Sequence, residues 1–297
     1  MLDRRSFLHG AAAAGACLAL NGASVAAPLP PAQRYTFCAF TKYLQSLNFV
    51  ELAEIIANAG FQGVEAPVRD GGHFNLEAAP DKLPELADAL QQCGLAITIL
   101  TTDVLRADQP HVERALRTAA GLGINRYRLG FCRYDLKRPV IRQLDELRPV
   151  IKDLAALNRE LGLQGVYQNH SGADMVGATL WDLYRLIEDL SPNDLAIAFD
   201  IRHATIEAGL AWPAIFNAMC DRIAAVFVKD FQWKGNAAEH VPLGKGRVEP
   251  KFFSMLDASD FSGPISVHVE YLRSASARDN ATALRDDLIT LRGWLAS

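Results

Sequence analysis

Four times before residue 165 this chain closes an amphipathic stretch on a glycine and opens a short apolar run within two residues. The junctions are Ala59-Gly60, Cys93-Gly94, Leu122-Gly123 and Leu161-Gly162. Glycine just past a helix accepts the left-handed conformation that closes it, so each junction marks a helix giving way to a strand. Strands are predicted at 35–40, 62–66, 95–100, 125–130, 163–168, 195–200, 223–229 and 264–270. Helices are predicted near 49–59, 80–93, 109–122, 139–161, 179–190, 211–220, 249–258 and 277–295. Strands that alternate with helices eight times over about 250 residues imply an α/β chain whose parallel sheet closes on itself, a single-domain (β/α)8 TIM barrel. An open dinucleotide-binding sheet would carry a glycine fingerprint after its first strand, and none follows residue 40.

A leader precedes the barrel. Arg4-Arg5-Ser6-Phe7-Leu8 is a twin-arginine start, an Ala-rich apolar stretch runs from Gly10 to Leu20, and Ser24-Val25-Ala26 is a small-residue exit. Residues 1–26 are therefore expected to be a signal peptide cut after Ala26, 27–34 a tether containing Pro28-Leu29-Pro30-Pro31, and 35–297 the barrel. A transmembrane anchor is the other reading of such a start, but the apolar run falls short of the ~20 residues a span needs. The expected location is the periplasm, reached by the twin-arginine route, with no stable membrane insertion once the signal is gone.

The chain is 50% hydrophobic and 22% charged, which suits one soluble domain with a large core. The signal removes a net charge of +1 from a total of -4, leaving -5. A mildly acidic protein has no general attraction to nucleic acid or anionic lipid. Of five cysteines, Cys17 leaves with the signal; Cys38, Cys93, Cys132 and Cys220 lie far apart in apolar contexts with no Cys-x-x-Cys. Buried free thiols are expected, although an oxidising compartment permits a bridge where two come close.

Residues at the C-terminal ends of barrel strands project into one mouth, where such folds do their chemistry. Four apolar runs end there in polar side chains: Gln168, Asp200, Lys229 and Glu270. Buried carboxylates need a cation or strong donors, so Asp200 and Glu270 call for a partner; a purely structural salt bridge to Lys229 would also satisfy them. His73, His170, His203, His240 and His268, out of seven histidines, also fall in the loops or strand ends of this face. Imidazole suits both metal ligation and proton transfer near neutral pH. Glu65, Arg69 and His73 follow the second strand and Trp233 the seventh, a mixture of charged donors and an aromatic face that suits a polyol.

At these residues the chain resembles the xylose isomerase-like barrel superfamily, which includes sugar isomerases, sugar 3-epimerases, hydroxypyruvate isomerase and endonuclease IV. The matching segments are Gln168-Asn169-His170, Asp200-Ile201-Arg202-His203, Phe227-Val228-Lys229-Asp230, the Gly-rich Leu243-Gly244-Lys245-Gly246-Arg247, and Glu270. The resemblance covers about residues 35–272. In the family's epimerases two glutamates, at strands five and eight, hold a divalent metal and act as the acid/base pair, and an Asp and a strand-seven His complete the shell. Here Gln168 stands where the first glutamate is expected and Phe227 where the His is expected. The resemblance thus implies a divalent metal, Mn²⁺, Zn²⁺ or similar, on Asp200, Glu270 and Gln168. The same residues leave open a metal-free route in which the Lys229 ammonium stabilises an enolate or alkoxide.

The expected function is that of an exported isomerase or epimerase acting on an unphosphorylated sugar or keto-sugar by proton abstraction next to a carbonyl. Glu270 is the expected base, with Lys229 and His203 as the other catalytic groups. Glu65, Arg69, His73, His170, Trp233 and His268 are expected to bind substrate. A lyase or hydratase acting on 3-keto-glycosides would use the same enolate, and a non-catalytic sugar-binding barrel is the reading from a different class. The partner is a small-molecule sugar rather than nucleic acid, and homo-oligomer formation is left open.

Overall fold

A computed structural model describes residues 34–273 and 275–296. The expected signal, its cleavage site and the tether up to residue 33 lie outside the described residues. The strands are β1 Tyr35–Phe40, β2 Gly63–Pro67, β3 Ala96–Thr101, β4 Arg126–Arg128, β5 Gln164–Gln168, β6 Leu195–Asp200, β7 Ile223–Val228, β8 Asp230–Lys234, β9 Ala237–Val241 and β10 Gly263–Val267. Eight of them pair in parallel in the closed order β1-β10-β7-β6-β5-β4-β3-β2, with β1 against β10 from Tyr35–Gly263 to Ala39–Val267 closing the ring. The helices are α1 Phe49–Asn58, α2 Ala79–Gln92, α3 Val112–Gly121, α4 Val140–Leu161, α5 Trp181–Ile187, α6 Ile201–Ala208, α7 Trp212–Met219, α8 Lys251–Asp257 and α9 Ala277–Leu295. Among the described residues no helix is long and apolar enough to cross a membrane.

Local chemistry explains the boundaries. α1 starts at a capping box in which the Asn48 side chain accepts from Glu51 N while the Glu51 carboxylate accepts from Asn48 N. α4 ends on Gly162 at φ 68, the left-handed position predicted for it. Outward strand side chains pack under the helices as the larger core. Inside the barrel a second cluster forms from Ile99, Val166, Ala196, Ala198, Ala225 and Phe227. Three alanines in this layer leave room for the Phe227 ring, whose complete burial is worth roughly 1.5–3 kcal/mol. Cys38, Cys93, Cys132 and Cys220 are free thiols.

Several boundaries differ from the sequence reading, and those after the last barrel strands bear on the site. The seventh and eighth barrel strands end at Val228 and Val267, so Lys229 and Glu270 stand beyond the ladder rather than in it. After β6 come two helices where one was expected, and His203, expected in a turn, lies in the first turn of α6. That helix starts immediately because Asp200 is its N-cap, its side chain accepting from His203 N at 3.1 Å. The β8–β9 hairpin was not anticipated; its polar, mostly exposed residues have no apolar periodicity to announce it.

Candidate active site

Side chains two apart on a strand share a face, so the row that fills the barrel continues upward into its mouth. Val166 is followed by Gln168, Ala198 by Asp200 and Phe227 by Lys229. All three polar residues are buried. Lys229 is the hub: its Nζ donates to Glu270 Oε2 at 2.9 Å and stands 3.2 Å from Asp200 Oδ2. Burial alone would lower its pKa, but Asp200 and Glu270 outweigh burial and raise it, so the ammonium stays charged. Glu270 also takes the Lys42 ammonium at 2.9 Å. Burial would raise its pKa, yet Lys229, then Lys42 and His268, hold the carboxyl well below the ordinary carboxylate range.

The strand ends are tied together around this hub. Gln168 Nε2 donates to Asp200 Oδ2 at 2.8 Å. Asn169 Nδ2 donates to Asp200 O at 3.0 Å and Asn169 Oδ1 accepts from Asp200 N at 2.7 Å, which fixes β5 against β6. Next to Lys229, the buried Asp230 carboxylate accepts the backbone N–H groups of Phe231, Gly244, Gly246, Arg247 and Val248 at 2.8–3.0 Å. A Cβ at Gly246 would lie 2.2 Å from Phe231 O and 2.3 Å from Asp230 Oδ1, so only glycine lets the loop wrap this closely.

The histidines divide by role. His170 lines the cavity and its Nδ1 lies 2.9 Å from Ser171 O. A carbonyl only accepts, so Nδ1 carries the proton. Burial, then Lys229, lowers the His170 pKa and keeps the ring neutral at neutral pH, which leaves Nε2 as a free proton acceptor. His203 packs on His170 with ring centroids 3.9 Å apart, and its pKa is pushed far down by burial, Lys229, His170 and Arg202. Its Nδ1 accepts from Arg202 Nη1 at 3.2 Å, so the neutral ring carries its proton on Nε2, 3.6 Å from Asp200 Oδ2. His240, on β9, brings Nε2 to 3.9 Å from Glu270 Oε2, and burial with Arg202 lowers its pKa to about 4.

Glu65, expected to bind substrate, lines the cavity but is fully buried, and protein groups take up its carboxylate. Its carboxylate accepts from Ser266 Oγ at 2.6 Å, from Thr101 Oγ1, and from His268 Nε2 at 2.8 Å. Burial would raise its pKa; the His268 charge and these donors reverse that and lower it.

The cavity at the mouth measures about 70 Å³, with Glu65, Arg69, His170, Lys229, His268 and Glu270 among its walls. That is small beside the ~300–1,000 Å³ of ordinary small-molecule sites. Lys42, whose side chain is 35% exposed and spans to Glu270, is the wall that moves at least cost. A wider hollow of about 750 Å³ runs along residues 107–118, but its walls all come from that one segment, and Asp108, Glu113 and Arg117 are engaged in exposed ion pairs.

Gln168, Asp200, Lys229 and Glu270 therefore converge, with His170, His268, Glu65 and Arg69 around them. His203 touches this group from behind His170 rather than from the cavity wall. His73 stays apart, its Nε2 2.9 Å from Thr41 Oγ1 and its pKa lowered to about 4 by burial. Trp233 sits on the hairpin, 45% exposed against Phe231, and does not line the cavity. The sequence reading missed Lys42, Arg128 and Phe131, which also form its walls. Lys42 follows β1 and Arg128 ends β4, so applying the strand-end rule to the first half of the chain would have found both.

The residues expected to hold a divalent metal do not fit one as arranged. The Lys229 ammonium stands within 3.2 Å of both carboxylates, at the position from which a cation would bridge them. Gln168 turns an N–H, not its carbonyl oxygen, toward Asp200. Among the described residues no group of three or more His, Cys, Asp or Glu side chains is placed to hold a metal ion.

The model of a protein family described as the xylose isomerase-like TIM barrel matches residues 53–293. Solved structures share the fold. The 3-keto-D-glucoside 4-epimerase YcjR of E. coli is 19% identical with a TM-score of 0.67, the match covering 87% of this chain and 99% of that one. AsbF of Bacillus anthracis, described as a probable 3-DHS dehydratase of petrobactin synthesis, is 17% identical with a TM-score of 0.67, covering 86% of this chain and 98% of that one. A D-psicose 3-epimerase solved with D-fructose is 15% identical with a TM-score of 0.65, covering 88% and 100%. No curated protein matches the sequence.

Proposed function

This chain belongs to the xylose isomerase-like TIM barrel family, and from that membership we propose that it is an enzyme that removes a proton next to the carbonyl of a sugar or keto-sugar. The observation that carries this reading is the Lys229 ammonium held between Asp200 and Glu270 at the mouth of the barrel. A substrate carbonyl oxygen set against Lys229 gains charge as the neighbouring C–H bond breaks, and a fixed, desolvated cation stabilises that enolate strongly. The proton goes to Glu270, ionised and freed when Lys42 withdraws, or to the open Nε2 of His170. These two acceptors come from strand ends on either side of β6 and β7. His203 supports the His170 ring by stacking and, through its backbone N–H, the Asp200 carboxylate. Returning a proton to the opposite face of the same carbon gives an epimer; returning it to the former carbonyl carbon, after proton movement between the oxygens, gives an isomer.

Elimination is the second reading. Gln168 cannot exchange a proton, so the pair of carboxylates that a symmetric epimerisation would use is incomplete. An enolate that expels the oxygen on its β-carbon needs one proton removed and one delivered, and a single group does both: His170 Nε2 takes the C–H proton, becomes an imidazolium, and passes that proton to the departing oxygen, which leaves as water or an alcohol. The epimerase and dehydratase folds noted above are compatible with both outcomes. We place the enzyme in the periplasm on the strength of the Arg4-Arg5 leader, which also favours an unphosphorylated substrate.

The test is solvent exchange. Purified protein incubated in D₂O with a panel of aldoses, ketoses and 3-keto-glycosides should wash deuterium into one C–H position of its substrate, by NMR. Thermal stabilisation by sugars with no exchange and no product across the panel would favour the non-catalytic binding barrel instead.

A further inference from the structure

We propose that the ligand of this cavity carries a carboxylate, a sugar acid or keto-sugar acid rather than a neutral sugar, and that Arg128 with Arg69 seats it. This rests on the reading of the mouth as a site for a sugar-like carbonyl compound and names that compound's charge.

Arg128, at the end of β4, is 2% exposed and lines the cavity. Its guanidinium lies 4.5 Å from the centre of the Phe131 ring, and its one hydrogen bond is a long one, Nη2 to Thr102 O at 3.4 Å. Nη1 is buried with no partner, and no carboxylate is within ion-pair distance among the described residues. Nearly every other charge here is answered: Glu65 by His268, Ser266 and Thr101, Glu270 by Lys42 and Lys229, Asp200 by Lys229. Arg69, on the same cavity, likewise makes no ion pair among the described residues.

Taking a cation out of water without a counter-charge is costly, and setting a second guanidinium beside it adds repulsion. Burial and Arg69 bring Arg128 down to about 10 against the opposing pull of Glu65 and Glu270, neither of which pairs with it, so it remains charged at neutral pH. A neutral hydroxyl could satisfy the free N–H but would leave both charges standing. A carboxylate answers both, because its two oxygens match the guanidinium fork. The small volume favours a planar carboxylate over a tetrahedral phosphate.

Calorimetry and thermal shift on the intact mature protein would compare D-gluconate, 2-keto-D-gluconate and D-galacturonate with D-glucose, D-fructose and D-galactose, and with glucose 6-phosphate. The carboxylates should bind roughly 10- to 100-fold more tightly than their neutral counterparts, the range of a charge-assisted contact. Arg128→Met should erase that preference. Arg128→Lys, which keeps the charge, and Arg69→Met, at a partly buried position, should each reduce it and give folded controls. Neutral sugars binding as tightly as acids, a preference that survives Arg128→Met in folded protein, or tighter binding of the phosphate would each overturn the proposal. Binding is read without turnover, so the two readings separate. A carboxylate preference without C–H exchange sinks the catalytic reading alone, and exchange on neutral keto-sugars that Arg128→Met leaves intact sinks this one alone.

Discussion

Replacing Lys229 with methionine probes both the stability of the mouth and the identity of its electrophile. Methionine keeps much of the side-chain length but removes the charge that sits 2.9 Å from Glu270 and 3.2 Å from Asp200. Removing one partner of a buried ion pair costs ~3–5 kcal/mol because the other charge is left unanswered. Glu270 keeps Lys42, and Asp200 keeps its donors Gln168 Nε2 and His203 N, so the lower end, ~3 kcal/mol, is expected. Urea denaturation would measure it, and adding Asp200→Asn should recover part of the loss by removing the stranded charge. Turnover should fall by ~10²–10³-fold, as for the loss of a donor to a developing oxyanion. The variant also vacates the point between the two carboxylates, so Mn²⁺ should now raise its melting temperature, by ~2.7 kcal/mol of stabilisation at a hundred times the dissociation constant. Wild-type protein should respond to neither Mn²⁺ nor EDTA. A stability change under ~0.5 kcal/mol, the size of an ordinary surface substitution, or wild-type activity abolished by EDTA, would refute the assignment of Lys229 as the resident cation.

Glu270→Gln keeps the size but removes the acceptor, and should lower proton exchange by ~10²–10⁴-fold if Glu270 is the base; exchange at the wild-type rate would transfer that role to His170. Burial lifts the Asp287 carboxyl to about 7, although Leu243 N–H and the Tyr271 hydroxyl both donate to it. A raised carboxyl stabilises the fold below its unfolded pKa and loses that contribution as pH rises through the folded value. Stability measured by urea should therefore decline from about pH 4 to 7 more steeply in wild type than in Asp287→Asn, and parallel profiles would contradict the assignment. Lys at both Arg4 and Arg5 should block export, and the mature periplasmic protein should begin near Ala27 by N-terminal sequencing; a start at Met1 would contradict cleavage.

Barrel and mouth were legible because both follow from periodicity: glycine after each of the first four helices marks the junctions, and alternation along β5, β6 and β7 sends Gln168, Asp200 and Lys229 inward together. What lay hidden depends on contacts between distant segments. Nothing in the order of residues says that Lys42 reaches Glu270 across 228 positions, or that His268 turns to Glu65 rather than to a metal. Trp233 looked like a stacking platform because the hairpin that carries it outward has no apolar pattern. The lysine between the carboxylates was visible as a residue, but its distance to both was not, and that distance decides between ammonium and metal.

The clasp of five amides on Asp230 bears on how a ligand reaches the cavity. These N–H groups span residues 231 to 248 yet share one carboxylate, so moving the loop away breaks several bonds at once and strands a buried charge. They should exchange with deuterium together and slowly, as part of the barrel's rigid body. This side of the mouth is thus a wall. Two strands round the ring, on the β1 side, the cavity is spanned by one partly exposed lysine, Lys42, whose contact with Glu270 any incoming anion competes for. Traffic should therefore pass on the β1 side, with association rates that respond to ionic strength while the clasped loop stays still.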